Sequence, residues 1–309
     1  MSIKGFDRED LTNMLFNSTK GTDLSNLHSP LFQNNKLSKK ESDYLLHIFT
    51  SDADDIANEK ASRKLKSIDF LDSENNLTFI GKINAIRLLS LEEQCNILGI
   101  QKKCLNKETY IHPEYAVIDH FERSGWLGRH CEGDIIFDLI SCSLINILDP
   151  LFKKAFGTTD KFKSYIPYIN PFKTYTDEVI HETLAFTLTL TPETVKKTFS
   201  KYPEYFSFKQ WIVNPQKVSS TDLKKYVKYD INHLCSYLHG IGNNDLTRLA
   251  DLCLNEKIPR KGWPDLILVH NQTYRFIEVK SKDKLHLSQI ITLQILKENS
   301  FELEINQVK

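Results

Sequence analysis

Gly262-Trp263-Pro264-Asp265-Leu266-Ile267-Leu268-Val269-His270-Asn271-Gln272-Thr273-Tyr274-Arg275-Phe276-Ile277-Glu278-Val279-Lys280 is the stretch from which the fold is read. Residues 266–270 form a short apolar run suited to a buried strand. Asn271-Gln272 offers a turn, and 274–280 alternates as a second strand. Helical spacing resumes through Leu285, Ile290, Leu293 and Leu296, and Phe301-Glu302-Leu303-Glu304-Ile305 alternates once more. Strand, turn, strand, helix, strand predicts an α/β (α+β) chain built on a small mixed sheet flanked by helices.

The same stretch carries the chemistry. Residues i and i+2 of a strand share a face, so Glu278 and Lys280 project together while Val279 points into the core. A hairpin returning through Asn271-Gln272 brings Asp265 alongside Glu278. Two carboxylates and an ammonium then meet at one end of the sheet. Like charges at close range repel, so the arrangement calls for a cation between the carboxylates. Mg²⁺ suits such a place, because it prefers oxygen ligands and takes one or two carboxylates plus phosphate oxygens. It would polarise a phosphate and acidify bound water, with the lysine stabilising the charge that develops. These are the requirements of phosphodiester hydrolysis. Each fragment alone has a plainer meaning: a carboxylate after Pro is often a turn former, and Glu-x-Lys is often a solvent-facing pair. Their combination in one hairpin favours the site.

Upstream the pattern is helical. Ser38 with Glu41 and Ser90 with Glu93 make capping-box pairs, each marking a helix start between 38 and 99. The runs 68–71 and 77–80 are apolar and of undecided type. Residues 134–148 are apolar on nearly every side and read as a buried helix that Asp149-Pro150 ends. Further helices are expected after Thr191-Pro192-Glu193, over 221–239 and over 244–254, whereas 157–178 reads as loop. The first 35 residues are polar and their role is not readable.

Lys plus Arg (40) equals Asp plus Glu (40), so net charge selects no partner. Basic residues do cluster locally, at Arg260 and Lys261 and at Lys282 and Lys284. These flank the proposed site and are candidates for contact with backbone phosphates. The six cysteines show neither Cys-x-x-Cys pairs nor zinc-site spacing, and Cys142, Cys235 and Cys253 read as small buried thiols. No signal-peptide segment and no continuous apolar run of membrane-crossing length stand out, and an intracellular protein is expected.

The pattern Gly-x-Pro-Asp-Leu at 262–266, a strand ending Phe276-Ile277-Glu278-Val279-Lys280, then Asp283-Lys284-Leu285 and a helix-borne Gln289, resembles the VRR-NUC domain of the PD-(D/E)xK nuclease superfamily. The resemblance implies a restriction-endonuclease-like core with a helical N-terminal region and a helical insertion. It also implies metal-ligand roles for Asp265 and Glu278, the catalytic lysine at Lys280, and support from Gln289. Gly128-Arg129-His130-Cys131-Glu132-Gly133, followed by the buried helix, resembles the segment opening the nuclease domain of Fanconi-associated nucleases. That match implies that Glu132 is a further acidic active-site residue and metal ligand. Its plainer reading is a carboxylate set near a helix N-terminus. The resemblance covers 256–296 and a patch at 119–150, and the Ser281-Lys282 loop is shorter than the family's Gly-Pro-containing one.

The expected organisation is a helical N-terminal region over 1–110 and a nuclease domain over 111–309, with a helical segment at 150–255 and the VRR-NUC core at 256–309. The expected function is Mg²⁺- or Mn²⁺-dependent hydrolysis of double-stranded DNA, selective for branched, flapped or ended substrates in repair. A restriction or anti-phage endonuclease on the same core, and a non-catalytic DNA-binding protein, are the alternatives. The compartment would be the cytoplasm of a bacterium or the nucleus of a eukaryote.

Overall fold

Ser38 and Ser90 open helices as their spacing predicts. In the computed structural model, which describes residues 37–50, 59–106, 112–158, 160–203, 205 and 230–309, the Ser38 amide donates to Glu41 at 2.7 Å and the Ser90 amide to Glu93 at 2.8 Å. Glu41 and Glu93 amides donate back to the two hydroxyls. These caps start α1 (Lys39–Thr50) and α4 (Leu91–Leu98). Between them lie α2 (Glu59–Ser67) and α3 (Phe79–Leu88). The undecided apolar runs resolve into one isolated bridge, Leu71 to Leu77, and the first turn of α3. Leu45, Leu65, Phe70, Leu71 and Ala85 form the small core of this module.

β1 (Gln101–Leu105) comes next and pairs in parallel with the last strand, β5 (Leu303–Val308). The sheet order is β1-β5-β4-β3-β2, where β2 is Leu127–His130, β3 is Leu266–His270 and β4 is Thr273–Lys280. β3 pairs antiparallel with β2 and with β4, and β4 runs parallel to β5. The sheet is therefore mixed, and it draws a strand from before residue 110. Asn271 and Gln272 adopt φ of 45° and 63°, the left-handed pair that a two-residue hairpin turn needs to match strand twist.

Each face of the sheet has its own cover. α5 (Pro113–Glu122) packs Tyr115, Val117, Ile118 and Phe121 on Leu266, Leu268, Ile277 and Val279. The opposite face, with Ile267, Val269, Phe276 and Ile305, belongs to the larger core. Helices around that core include α6 (Asp134–Phe156), α8 (Asp177–Leu188), α9 (Pro192–Lys201), α10 (Ile231–Ile241), α11 (Asn243–Leu254) and α12 (Leu287–Glu298).

α6 corrects the expectation that Asp149-Pro150 ends the buried helix. It runs through Pro150 to a left-handed cap at Gly157. A proline inside a helix costs about 3 kcal/mol. Burying Leu151 and Phe152, 9% and 0% exposed, returns about 1.5–3 kcal/mol each, which offsets the loss. At 23 residues it is also long and apolar enough to cross a membrane, with 78% of its apolar window buried inside the protein. The stretch read as loop at 157–178 contains α7 (Asp160–Tyr165), a 3₁₀ turn at Ile166–Tyr168 and the start of α8. Of the helix expected over 221–239, α10 covers the later part, and 221–229 lies outside the described residues, as do the first 35.

Candidate active site

Three features fix Asp265 before β3. Gly262 has φ +85°, and a Cβ there would stand 2.2 Å from the Ser288 carbonyl oxygen, so only glycine lets this loop lie on the start of α12. Trp263 is 2% exposed, donates from Nε1 to the Pro259 carbonyl at 2.9 Å, and sets its ring edge-on to Phe137 at 5.0 Å. The Asp265 carbonyl accepts the Cys131 amide at 2.9 Å, tying the loop to the end of β2. The Asp265 carboxylate in turn accepts the Val279 amide at 2.8 Å.

The hairpin brings Asp265, Glu278 and Lys280 together. Glu278 and Lys280 share the α12 face of β4, with exposures of 0% and 7%. Lys280 Nζ lies 2.8 Å from Glu278 Oε1 and donates to Gln289 Oε1 at 2.9 Å. Gln289 Nε2 donates to the same Glu278 oxygen at 2.5 Å, while its Oε1 also accepts the His286 amide at 3.0 Å. Gln289 therefore locks the acid, the lysine and the first turn of α12 into one geometry.

The second Glu278 oxygen, Oε2, is buried and has no hydrogen-bond partner among the described residues. Burial drives the Glu278 carboxyl well above its ordinary pKa, and the Asp265 carboxylate beside it drives it further. Asp265 is itself raised, chiefly by burial, against the pull of the Val279 amide, His130 and Lys280. Two facing carboxylates have acceptors and no donor between them, so a proton or a cation must stand there. An oxygen-rich, partly buried pair with an orphaned oxygen fits a divalent cation.

On the other side of Asp265 the structure adds two residues that the motif did not identify. Glu114, in the first turn of α5, and His130, at the end of β2, present donor atoms that lie with one from Asp265 within 4.8 Å of one another. Asp265 is thus the member common to two groups: Glu278 and Lys280 from the α12 face, Glu114 and His130 from the α5 face. Glu114 alone reads as an acid favoured by a helix N-terminus. The signal for His130 is its position, since a strand ending there points it toward the α5 face with Gly128.

The single convergence expected of Glu132, Asp265 and Glu278 is met only in part. Glu132 sits in the turn from β2 into α6 with φ +44°, a left-handed value rare outside glycine. Its side chain is 70% exposed, and its Oε1 lies 3.8 Å from His130 Nε2, outside the Glu114–His130–Asp265 group. The physical reason is the turn itself: Glu132 has left the strand, so the strand's alternation no longer aims it. Arg260, Lys261 and Lys282 are exposed. Lys284 is exposed as well, but its ammonium donates to the Leu88 carbonyl at 2.9 Å and so reaches the N-terminal helices. All six cysteines are free.

Residues 215–309 match the family model of the VRR-NUC domain. No curated protein matches the chain. Among solved structures, paFAN1 bound to a DNA with a 2-nucleotide 5′ flap and a gap is 14% identical, with 87% of this chain and 54% of that one covered at a TM-score of 0.41. paFAN1 bound to a 1-nucleotide 5′ flap with a gap is 18% identical, with 81% and 45% covered at a TM-score of 0.45. The chain spans about half the length of these structures.

Proposed function

We propose, from the premise that residues 215–309 carry a VRR-NUC domain, that the protein is a divalent-metal-dependent DNA nuclease. The observation that carries the reading is the pairing of half-buried Asp265 with fully buried Glu278, with Lys280 beside them and Glu278 Oε2 without a partner among the described residues. Asp265 and Glu278 would hold Mg²⁺ or Mn²⁺, which when bound polarises the scissile phosphate and acidifies a coordinated water.

The remaining roles belong to the chain. Lys280 spends two of its three N–H donors on Glu278 and Gln289, which fixes its direction and leaves one for the substrate. That donor stabilises the negative charge that builds on the phosphate oxygens as water adds. Water attacks phosphorus, the P–O bond to the leaving group breaks, and the water's proton ends on the departing oxygen or in solvent. Gln289 positions both residues and touches no substrate. Exposed Arg260, Lys261 and Lys282 supply contacts to backbone phosphates, which orient DNA without reading its sequence. Branched, flapped or ended duplexes in repair are the proposed substrates, on the strength of the 119–150 resemblance, and the enzyme then works inside the cell where such DNA is found.

The test incubates labelled flap, splayed-arm, nicked and junction DNAs with wild type and Asp265→Ala in Mg²⁺ or Mn²⁺. Cleavage by wild type and a loss of about 10³-fold in the variant are expected, on the scale of removing a group that stabilises transition-state charge. Equal cutting by both proteins removes the mechanism. Cutting that follows base sequence and ignores DNA shape removes the branched-substrate reading.

A further inference from the structure

One donor near Asp265 is not an oxygen. Glu114, His130 and Asp265 approach from a helix, a strand end and a loop, and their donor atoms lie within 4.8 Å of one another. Donors about 2.1–2.3 Å from one ion stand roughly 3–4.5 Å apart, so small side-chain adjustments are enough to close on a cation. Asp265 also ties this group to the hairpin. From the other face of the sheet Glu278, 0% exposed, approaches the Asp265 carboxylate, and its Oε2 has no partner among the described residues, so an ion held by Asp265 has acidic oxygen on both sides.

We propose that His130 is a metal ligand and that its imidazole tilts the site toward Mn²⁺ over Mg²⁺. The inference rests on the metal dependence of the proposed function and adds a selectivity to it. Mg²⁺ is a hard ion that prefers oxygen and keeps its waters, so a nitrogen donor adds little to its binding. Mn²⁺ accepts oxygen donors as readily and also takes imidazole, and affinity for nitrogen rises along the first transition row. A site of carboxylates alone would bind both ions through the same groups. Replacing one position with imidazole makes that ligand count for one ion and not the other. The geometry here places the imidazole on β2, whose pairing with β3 holds it opposite Leu266, next to Asp265.

The experiment uses the full chain stripped of metal with a chelator and needs no DNA. Mn²⁺ binding is read by the loss of the free-ion electron paramagnetic resonance signal, and Mg²⁺ binding by its competition for the same site. In His130→Asn, which keeps an oxygen donor and removes the ring, Mn²⁺ affinity is expected to fall about tenfold while Mg²⁺ affinity changes by less than about threefold. A matching fall for both ions, or no change for either, overturns the proposal. Spin-echo modulation on the wild type with Mn²⁺ bound gives an answer that depends on no variant. Coupling to a ¹⁴N nucleus is expected, and an all-oxygen pattern, or no Mn²⁺ bound, overturns it. Asp265→Asn separates the two readings: if it cuts DNA as wild type does, the nuclease mechanism falls, whereas nitrogen coupling in the wild type still upholds His130 as ligand.

Discussion

Two buried glutamates stand on neighbouring strands and meet opposite fates. Glu304 on β5 is 4% exposed and faces α5; Glu278 on β4 is 0% exposed and faces α12. Glu304 is answered by the protein. Lys103 lies 2.6 Å from it, Arg275 3.4 Å, and the Asn306 amide donates to its other oxygen at 2.7 Å. Arg275 also pairs with Glu302 at 2.9 Å and lies over the Trp126 ring at 4.7 Å. Among the described residues Glu278 has one cation, Lys280, and a second carboxylate, Asp265, that raises its pKa. Glu114 adds a third carboxylate on the far side. The difference teaches how to sort buried charge. Where the chain supplies its own counter-ions, the charge is structural; where buried acids outnumber bases, the missing cation comes from outside.

The sharpest way to break that distinction is to neutralise each acid in turn. Glu304→Gln removes the partner of two cations, one of them, Arg275, largely buried. A loss of up to about 3 kcal/mol in unfolding free energy is expected, with DNA cleavage per folded molecule within about threefold of wild type. Glu278→Gln removes a surplus acid, so the metal-free protein is expected to unfold at a higher temperature than wild type. The same variant is expected to lose stabilisation by Mn²⁺ and to lose cleavage by about 10²–10³-fold. Denaturation melts with and without metal, run beside a cleavage assay, decide it. If Glu278→Gln destabilises the metal-free protein as much as Glu304→Gln does, the sorting rule is wrong for this chain.

The half of the site built by the hairpin was legible because local periodicity decides it. Alternation put Glu278 and Lys280 on one face, and a two-residue turn returned Asp265 to them. The capping boxes at Ser38 and Ser90 were legible for the same reason, being contacts three residues long. Glu114 and His130 depend on α5 docking against a strand more than a hundred residues away, and no local pattern records that. β1 was missed because Gln101-Lys102-Lys103-Cys104-Leu105 has little apolar alternation and finds its partner, β5, at the other end of the chain. α6 outran Pro150 because tertiary burial outweighed a local rule.

Titration offers a second way to sharpen the contrast. Glu278 and Asp265 both have pKa values raised in the folded, metal-free protein, first by burial. Between the ordinary carboxylate pKa of about 4 and the raised values, the folded state binds more protons than the unfolded one. Metal-free stability is therefore expected to fall as pH rises through that window. Metal binding needs the ionised carboxylates, so the added stability from Mn²⁺ is expected to grow over the same range. Urea midpoints from pH 5 upward, in chelator and in excess Mn²⁺, check both slopes. A metal-free midpoint that climbs with pH would show that the pair is not held protonated by its surroundings.

The smallest expected effect concerns the link between the N-terminal helices and the loop after Lys280. Gln94 on α4 is 0% exposed, accepts the Leu285 amide at 2.9 Å and donates to the Ile86 carbonyl at 3.1 Å. Lys284 reaches Leu88 from the same loop. This loop leads into α12, whose Gln289 sets Glu278 and Lys280. Gln94→Leu keeps the volume and the apolar contacts, but leaves a buried amide unpaired, at a cost of about 1–3 kcal/mol. If the helices only lean on the nuclease core, that cost appears as lower stability with cleavage per folded molecule unchanged. If they brace the loop, kcat is expected to fall several-fold while Mn²⁺ affinity, set by Asp265 and its neighbours, stays near wild type. The bracing geometry favours the second outcome, because Gln94 and Lys284 grip the loop at adjacent residues and Gln289 lies one helical turn beyond.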